Sequence, residues 1–142
     1  MSRKARPTSW VNAKSAFQSP ELSWSNAPSN TQSFVLILSS PDWTTGKVYL
    51  WVLYNIPGNT KELAEKANKD LPDGTLVGNN FYDEADYRGP CPPDTLQHHY
   101  VFTLYALDTT LELPAGAEAE DILNKIGKHI LKQTKLTGVF SH

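Results

Sequence analysis

The residues of this chain best suited to chemistry lie in and just after a proline-bounded loop. Gly89-Pro90-Cys91-Pro92-Pro93 is followed by His98-His99-Tyr100 and then by the strand-like run Val101 to Asp108. Proline fixes φ and lacks an amide donor, so Pro90, Pro92 and Pro93 exclude helix and central strand and frame a stiff rim. In the strand that follows, alternate side chains share a face: His98, Tyr100 and Phe102 on one, His99, Val101 and Thr103 on the other. An imidazole and a phenol on one face, beside a rigid rim, can donate hydrogen bonds to phosphate or carboxylate oxygens. The plainer reading of the same residues is a strand start of mixed polarity whose histidine is exposed or satisfied in the core.

The elements that must position this loop can be read from the apolar pattern. Ser33 to Leu38 is a short unbroken apolar run, as expected of a strand covered on both faces, and Lys47 to Ile56 is a second, rich in β-branched and aromatic residues. Ser39 to Gly46 reads as the loop between them. Pro57-Gly58-Asn59 ends the second strand, and Thr60 caps a short helix through Ala67 whose Glu62 and Glu65 suit its dipole. Pro72-Asp73-Gly74 is a turn, residues 75–97 form a long irregular loop with small strands, and Tyr100 to Leu107 is a strand. From Ala117 to Thr134, Ala119, Ile122, Leu123, Ile126, Ile130 and Leu131 recur at helical spacing. Acids stand at the start of that segment and Lys125, Lys128 and Lys132 toward its end. His129 then sits at the core edge of this helix, and Leu136 to Phe140 closes the chain as a short strand. Residues 1–18 are a polar, loosely ordered lead-in with a strand packed inside it, and 19–142 make a single domain. The architecture expected is mostly β: an antiparallel β-sandwich with a short peripheral helix and one C-terminal helix.

Composition narrows the functions available. With 142 residues the chain is long enough to bury roughly two-thirds of its unfolded surface in one core. A net charge of −2 gives no overall attraction to nucleic acid or anionic lipid, and Arg3, Lys4 and Arg6 read as a solvated end. The single cysteine excludes an intramolecular disulfide, and no basic start leads into an apolar signal-like run, so a reducing cytoplasm is the simplest setting. No stretch approaches the ~20 apolar residues that span a bilayer, so no integral membrane insertion is expected. There is no phosphate-binding P-loop, no dinucleotide fingerprint and no metal spacing among the four histidines, so neither metal nor cofactor is expected.

Gly-Pro-x-Pro-Pro followed by His-x-Tyr-x-Phe resembles a signature of the phosphatidylethanolamine-binding proteins, also called Raf-kinase-inhibitor-like proteins. Further segments agree in order and spacing: Ser19-Pro20-Glu21-Leu22-Ser23-Trp24 with Ala27-Pro28, Ser33 to Leu38, Pro41-Asp42, Trp51 to Pro57, Asn79-Asn80-Phe81, Tyr105 to Asp108 and Leu136-Thr137-Gly138. Together they cover about residues 19–140 and are most similar to the compact bacterial branch, the YbhB/YbcL-like proteins. The resemblance implies a large antiparallel sheet packed on another, with peripheral helices and an anion pocket at one edge. It puts that pocket on Asp42, Gly89, Pro90, Pro92, Pro93, His98 and Tyr100, with a phosphate-like anion or phosphorylated head group as ligand. Asp42 would then fix the tautomer of His98 or accept loop amides, since a carboxylate beside an anion is otherwise repulsive. A turn aspartate after Pro41 is the structural alternative. Bacterial relatives further imply a homodimer.

The chain departs from the family pattern at the rim. Where the family reads Asp-Pro-Asp-Ala-Pro, this chain has Ser40-Pro41-Asp42-Trp43-Thr44, and Leu50 stands where a histidine usually precedes the tryptophan. Ser40, Trp43, Leu50 and Cys91 are therefore expected at the pocket rim, with a carboxylate and an imidazole removed. Three functions are in view. The first is a non-enzymatic small-anion or head-group binding protein with a regulatory role. The second is a protein-interaction modulator of a kinase or protease, with a vestigial pocket and contact loops at 39–46 and 83–97. The third is a hydrolase using Asp42 and His98. The hydrolase ranks last, because no serine or cysteine sits on a nucleophile elbow and the prolines around Cys91 give its thiol no activation.

Overall fold

An unbroken apolar run such as Phe34 to Leu38 is stable as a strand only where both faces are covered, and the computed structural model provides both covers. It describes residues 10–11, 22–24, 27–43, 46–63, 71–80, 84–85 and 98–140, with backbone alone at 10–11, 41–43, 46–47, 98–100 and 136–140. The elements in chain order are β1 (Trp10–Val11), β2 (Leu22–Ser23), β3 (Ser33–Trp43), β4 (Gly46–Pro57), β5 (Glu62–Leu63), β6 (Leu76–Val77), β7 (His98–Leu107), α1 (Ala119–Ile126) and β8 (Ile130–Phe140). A six-stranded sheet runs in the order β1-β8-β7-β3-β4-β6, and β2 pairs with β5 in a two-stranded sheet. All pairings are antiparallel except β1 with β8.

The alternation within β3 divides the core. Phe34, Leu36 and Leu38 pack with Leu22 and Leu63 of the small sheet and with Phe102, Leu104 and Ala106 of β7. Val35 and Ile37 face the other way, against Ala119, Ile122 and Ile126 of α1. These three helix residues lie at i, i+3 and i+7, a single apolar stripe, while Glu120 and Asp121 in the first turn and Lys125 in the last complement the dipole. Phe34 and Phe102 are each 1% exposed, a burial that contributes roughly 1.5–3 kcal/mol per side chain.

Two bulges in β4 change which of its residues reach each face. Leu38 pairs with Trp51 and Ser39 with Tyr49, so Leu50 is the extra residue. This is why the sequence neighbours Leu50 and Trp51 both enter the core shared with the small sheet. A second shift lies between the pairs Leu36–Leu53 and Phe34–Ile56, and there Asn55 has φ 56°. Asparagine tolerates this left-handed conformation better than most residues.

The structure corrects three expectations. The helical pattern of Ala117 to Thr134 ends at Ile126; after a turn at Gly127 to His129 the chain becomes β8. Ile130, Lys132, Gln133 and Thr134 pair with Leu107, Ala106, Tyr105 and Leu104, which supplies the hydrogen-bond partners that β7 needs. His129 accordingly belongs to a turn. The expected loop Ser39 to Gly46 is largely strand, because β3 extends to Trp43 and pairs with Gly46. The helix expected from Thr60 does not begin there, since Glu62–Leu63 pairs with Leu22–Ser23; the rest of that segment, 64–70, lies outside the described residues.

Candidate ligand-binding site

The antiparallel pairing of β3 with β7 joins two regions distant in sequence at one end of the large sheet. Ser39 pairs with Val101, the last pair between the two strands; β3 continues past it to Trp43, and β7 begins before it at His98. On the far side of β7, Tyr100 pairs with Gly138 and His98 with Phe140, and Gly138 is also the partner of Val11 in β1. Trp43 pairs with Gly46 at the tip of the β3–β4 hairpin. Trp43, His98 and Tyr100 thus have register partners, whereas Asp42 falls in the irregular stretch of β3 between Ser40 and Trp43. Gly89, Pro90, Cys91, Pro92 and Pro93 lie outside the described residues.

The side chains described at this end are buried and mostly apolar. Val48, the register partner of Ser40, is buried, as are Leu38, Leu50 and Phe102. Ser40 is 0% exposed, and its Oγ has no hydrogen-bond partner. A buried hydroxyl in this state is unusual and costs stability. Ser40 is expected at a pocket rim in a loop; its place in the continuing strand β3 is what encloses it. On the opposite face, Tyr49 pairs with Ser39; burial raises its phenol above the ordinary tyrosine value, and the carboxylate of Glu120 adds to the rise. Tyr105 is raised in the same direction by burial and then by Tyr49.

Two features elsewhere were not marked by the residue pattern. Trp24, Ala27, Phe34, Leu104, Ala106, Lys132 and Thr134 line a shallow groove, in which the Trp24 and Phe34 rings stand 5.4 Å apart at 59°. Trp24 is held there by its indole N–H, which donates to the Thr60 carbonyl at 3.0 Å. The groove lies toward the opposite end of β3 from Ser40. His129 meets Asp108 through Nδ1 and Oδ1 at 2.8 Å, with both side chains well exposed. Among the described residues no group of three or more His, Cys, Asp or Glu side chains is assembled to hold a metal. No helix among them is long and apolar enough to cross a membrane.

A family model described as phosphatidylethanolamine-binding protein matches residues 7–141. A UPF0098 protein of Methanothermobacter thermautotrophicus is 43% identical over 125 residues, covering 86% of this chain and 82% of that protein. The UPF0098 protein YbhB of Escherichia coli is 33% identical over 128 residues, covering 87% and 81%. The crystal structure of E. coli YbcL, described as a new member of the mammalian PEBP family, matches with a TM-score of 0.88 at 25% identity, over 100% of this chain and 96% of that one.

Proposed function

The chain belongs to the phosphatidylethanolamine-binding protein family, in its YbhB/YbcL-like branch, and from that premise we propose that it is a small-anion binding module acting at the end of the sheet where β3 stops and β7 starts. The observation that supports this most is the Ser39–Val101 register, the last pair between β3 and β7, beyond which the chain order continues to Ser40-Pro41-Asp42 on one strand and back to Tyr100 and His98 on the other. In this reading His98 and Tyr100 donate hydrogen bonds to the anion, and Gly89, Pro90, Pro92 and Pro93 hold the rim at low entropic cost. Asp42 orients His98 by accepting from its ring, which leaves the other nitrogen for the ligand. The anion is inorganic phosphate or a phosphorylated head group. A non-enzymatic, regulatory role in the cytoplasm completes the proposal.

A proton NMR titration with phosphate, phosphoethanolamine and acetate tests it. Saturable shifts at His98 and Tyr100 are expected for the phosphates. Hydrogen bonds to a charged partner contribute about 1.5–3 kcal/mol, so His98→Ala should weaken binding roughly ten- to hundredfold. Unmoved resonances at millimolar ligand would sink the reading and leave protein interaction as the better one.

A further inference from the structure

β8 runs from Ile130 to Phe140, yet on the side away from β7 its neighbour β1 pairs only with Thr137 and Gly138. Among the described residues no strand lies beside Lys132 to Leu136 on that side, while β7 pairs with every one of them on the other. In an antiparallel ladder every second residue turns its N–H and C=O away from the strand it pairs with, so this stretch presents backbone donors and acceptors at a sheet edge. The register shift between Ala106 and Leu107 bounds the stretch at one end and β1 bounds it at the other. Lys132, Gln133 and Lys135 are exposed. After Asp121 the chain carries Lys125, Lys128, Lys132 and Lys135 and no acidic residue, so the strand and its approach are basic in a protein whose net charge is −2.

We propose that the outer edge of β8 from Lys132 to Leu136 is a docking strand for an extended acidic segment of a partner protein, which adds to the large sheet in line with β1. The assignment does not depend on the anion-binding reading. Strand addition takes its affinity from main-chain hydrogen bonds and its specificity from alternate side chains. On one face the incoming side chains stand beside Gln133 and Lys135, where a carboxylate meets an exposed ammonium. On the other they stand beside Lys132 and Thr134, which line the groove shared with Trp24, Leu104 and Ala106, so apolar side chains suit that face. The basic character of the edge argues against two other occupants. A second copy paired through its own β8 sets lysine-bearing strands against each other, and like charges across a ladder are destabilising. The chain's own residues before Trp10 include Arg3, Lys4 and Arg6, and Pro7 has no amide to give. Lysine at a sheet edge discourages association. Here it does so toward neutral and basic strands, which leaves acidic ones as the matching class.

Titration of the isotope-labelled full chain with end-capped peptides of about eight residues tests this by amide chemical shifts and hydrogen exchange, one peptide alternating glutamate with valine and the other lysine with valine. The glutamate peptide should bind saturably, shift the amides of residues 132–136 and slow exchange at every second one of them. The lysine peptide should bind at least about tenfold more weakly. N-methylation of every second peptide amide should abolish binding in one phase and spare it in the other, as strand addition requires. K135E should weaken the glutamate peptide about three- to tenfold and strengthen the lysine peptide. Equal affinity for the two peptides, or binding that ignores methylation in both phases, overturns the proposal. So does a glutamate peptide that leaves every amide unmoved at millimolar concentration. Slow exchange at the edge amides of the peptide-free monomer also overturns it, because the chain's own residues would then occupy the edge. Protection that appears only as the chain dimerises overturns it in favour of a second copy.

Discussion

Asn55 and Leu111 exchange two hydrogen bonds: Asn55 Nδ2 donates to the Leu111 carbonyl at 2.8 Å, and the Leu111 amide donates to Asn55 Oδ1 at 2.7 Å. The side-chain amide thereby behaves like a strand residue, pinning the segment before α1 to a bulge in β4. Asn55→Ala removes both bonds and also puts alanine at φ 56°, whereas Asn55→Gly removes the bonds without the left-handed penalty. We expect Ala to lower stability by roughly 2–4 kcal/mol and Gly by about 1 kcal/mol less, from the cost of orphaned groups plus that of the αL backbone. Urea denaturation measures both; equal losses would show that the backbone conformation contributes nothing.

Two glycines give a contrast of opposite sign. A Cβ on Gly58 would stand 2.4 Å from the Thr31 carbonyl oxygen, a backbone atom that cannot swing aside, so Gly58→Ala should cost about 1–3 kcal/mol or more. Gly127, at the end of α1, has φ −46° and ψ −43° and no atom within 4 Å of a built Cβ. Gly127→Ala should therefore raise stability by about 0.4–1 kcal/mol through the unfolded chain. Thermal melts of the two variants decide this, and a destabilised Gly127→Ala would contradict the helical geometry at that turn.

Stability should fall at high pH. The fully buried Tyr54 donates its hydroxyl proton to the Pro114 carbonyl and accepts from the Ala117 amide at 3.3 Å, and burial, only partly opposed by that amide, holds its phenol above 10.0. Tyr49 and Tyr105 are shifted in the same direction. A group whose folded pKa lies above its unfolded value gives stability that is complete below the unfolded pKa and is lost as pH rises through the folded one. The melting temperature should thus be insensitive to these three groups below about pH 9 and fall from about pH 10 upward, with phenolate absorbance lagging behind that of the unfolded chain. In Tyr54→Phe the melting temperature should be lower at neutral pH, and its alkaline fall should be shallower. A wild type with a flat profile to pH 11 would remove the basis for this prediction.

What the residues revealed and what they concealed have separate physical causes. Phe34 to Leu38 announced a doubly covered strand because every side chain in it is apolar, and each proved buried. Ser39 to Trp43 concealed its strand character, since Ser, Pro and Asp carry turn propensity and the hairpin partner that overrides it begins only at Gly46. Ile130 and Leu131 fitted a helical period with Ile122 and Ile126 by coincidence of spacing. Two apolar residues satisfy either period, and it was the long-range demand of β7 for a partner that decided in favour of strand. Glu62–Leu63 was likewise settled by Leu22–Ser23, a partner that local propensity does not contain. At the candidate site, the pairing of β3 with β7 could be inferred only through resemblance, and nothing in the residue order marked the Ser40 hydroxyl as buried.

Ser40 carries a stability cost that can be measured. Its hydroxyl is buried and unpaired, so Ser40→Ala removes a desolvated polar atom and loses no hydrogen bond. An orphaned buried group costs about 1–3 kcal/mol, and the small void left by one oxygen returns part of that, so the variant should be more stable by about 1 kcal/mol. The sign is the reverse of that for Tyr54→Phe, where a partnered hydroxyl is lost. Denaturant unfolding should show the gain as a higher midpoint at an unchanged slope. A destabilised Ser40→Ala chain would mean that the hydroxyl has a partner within the fold after all.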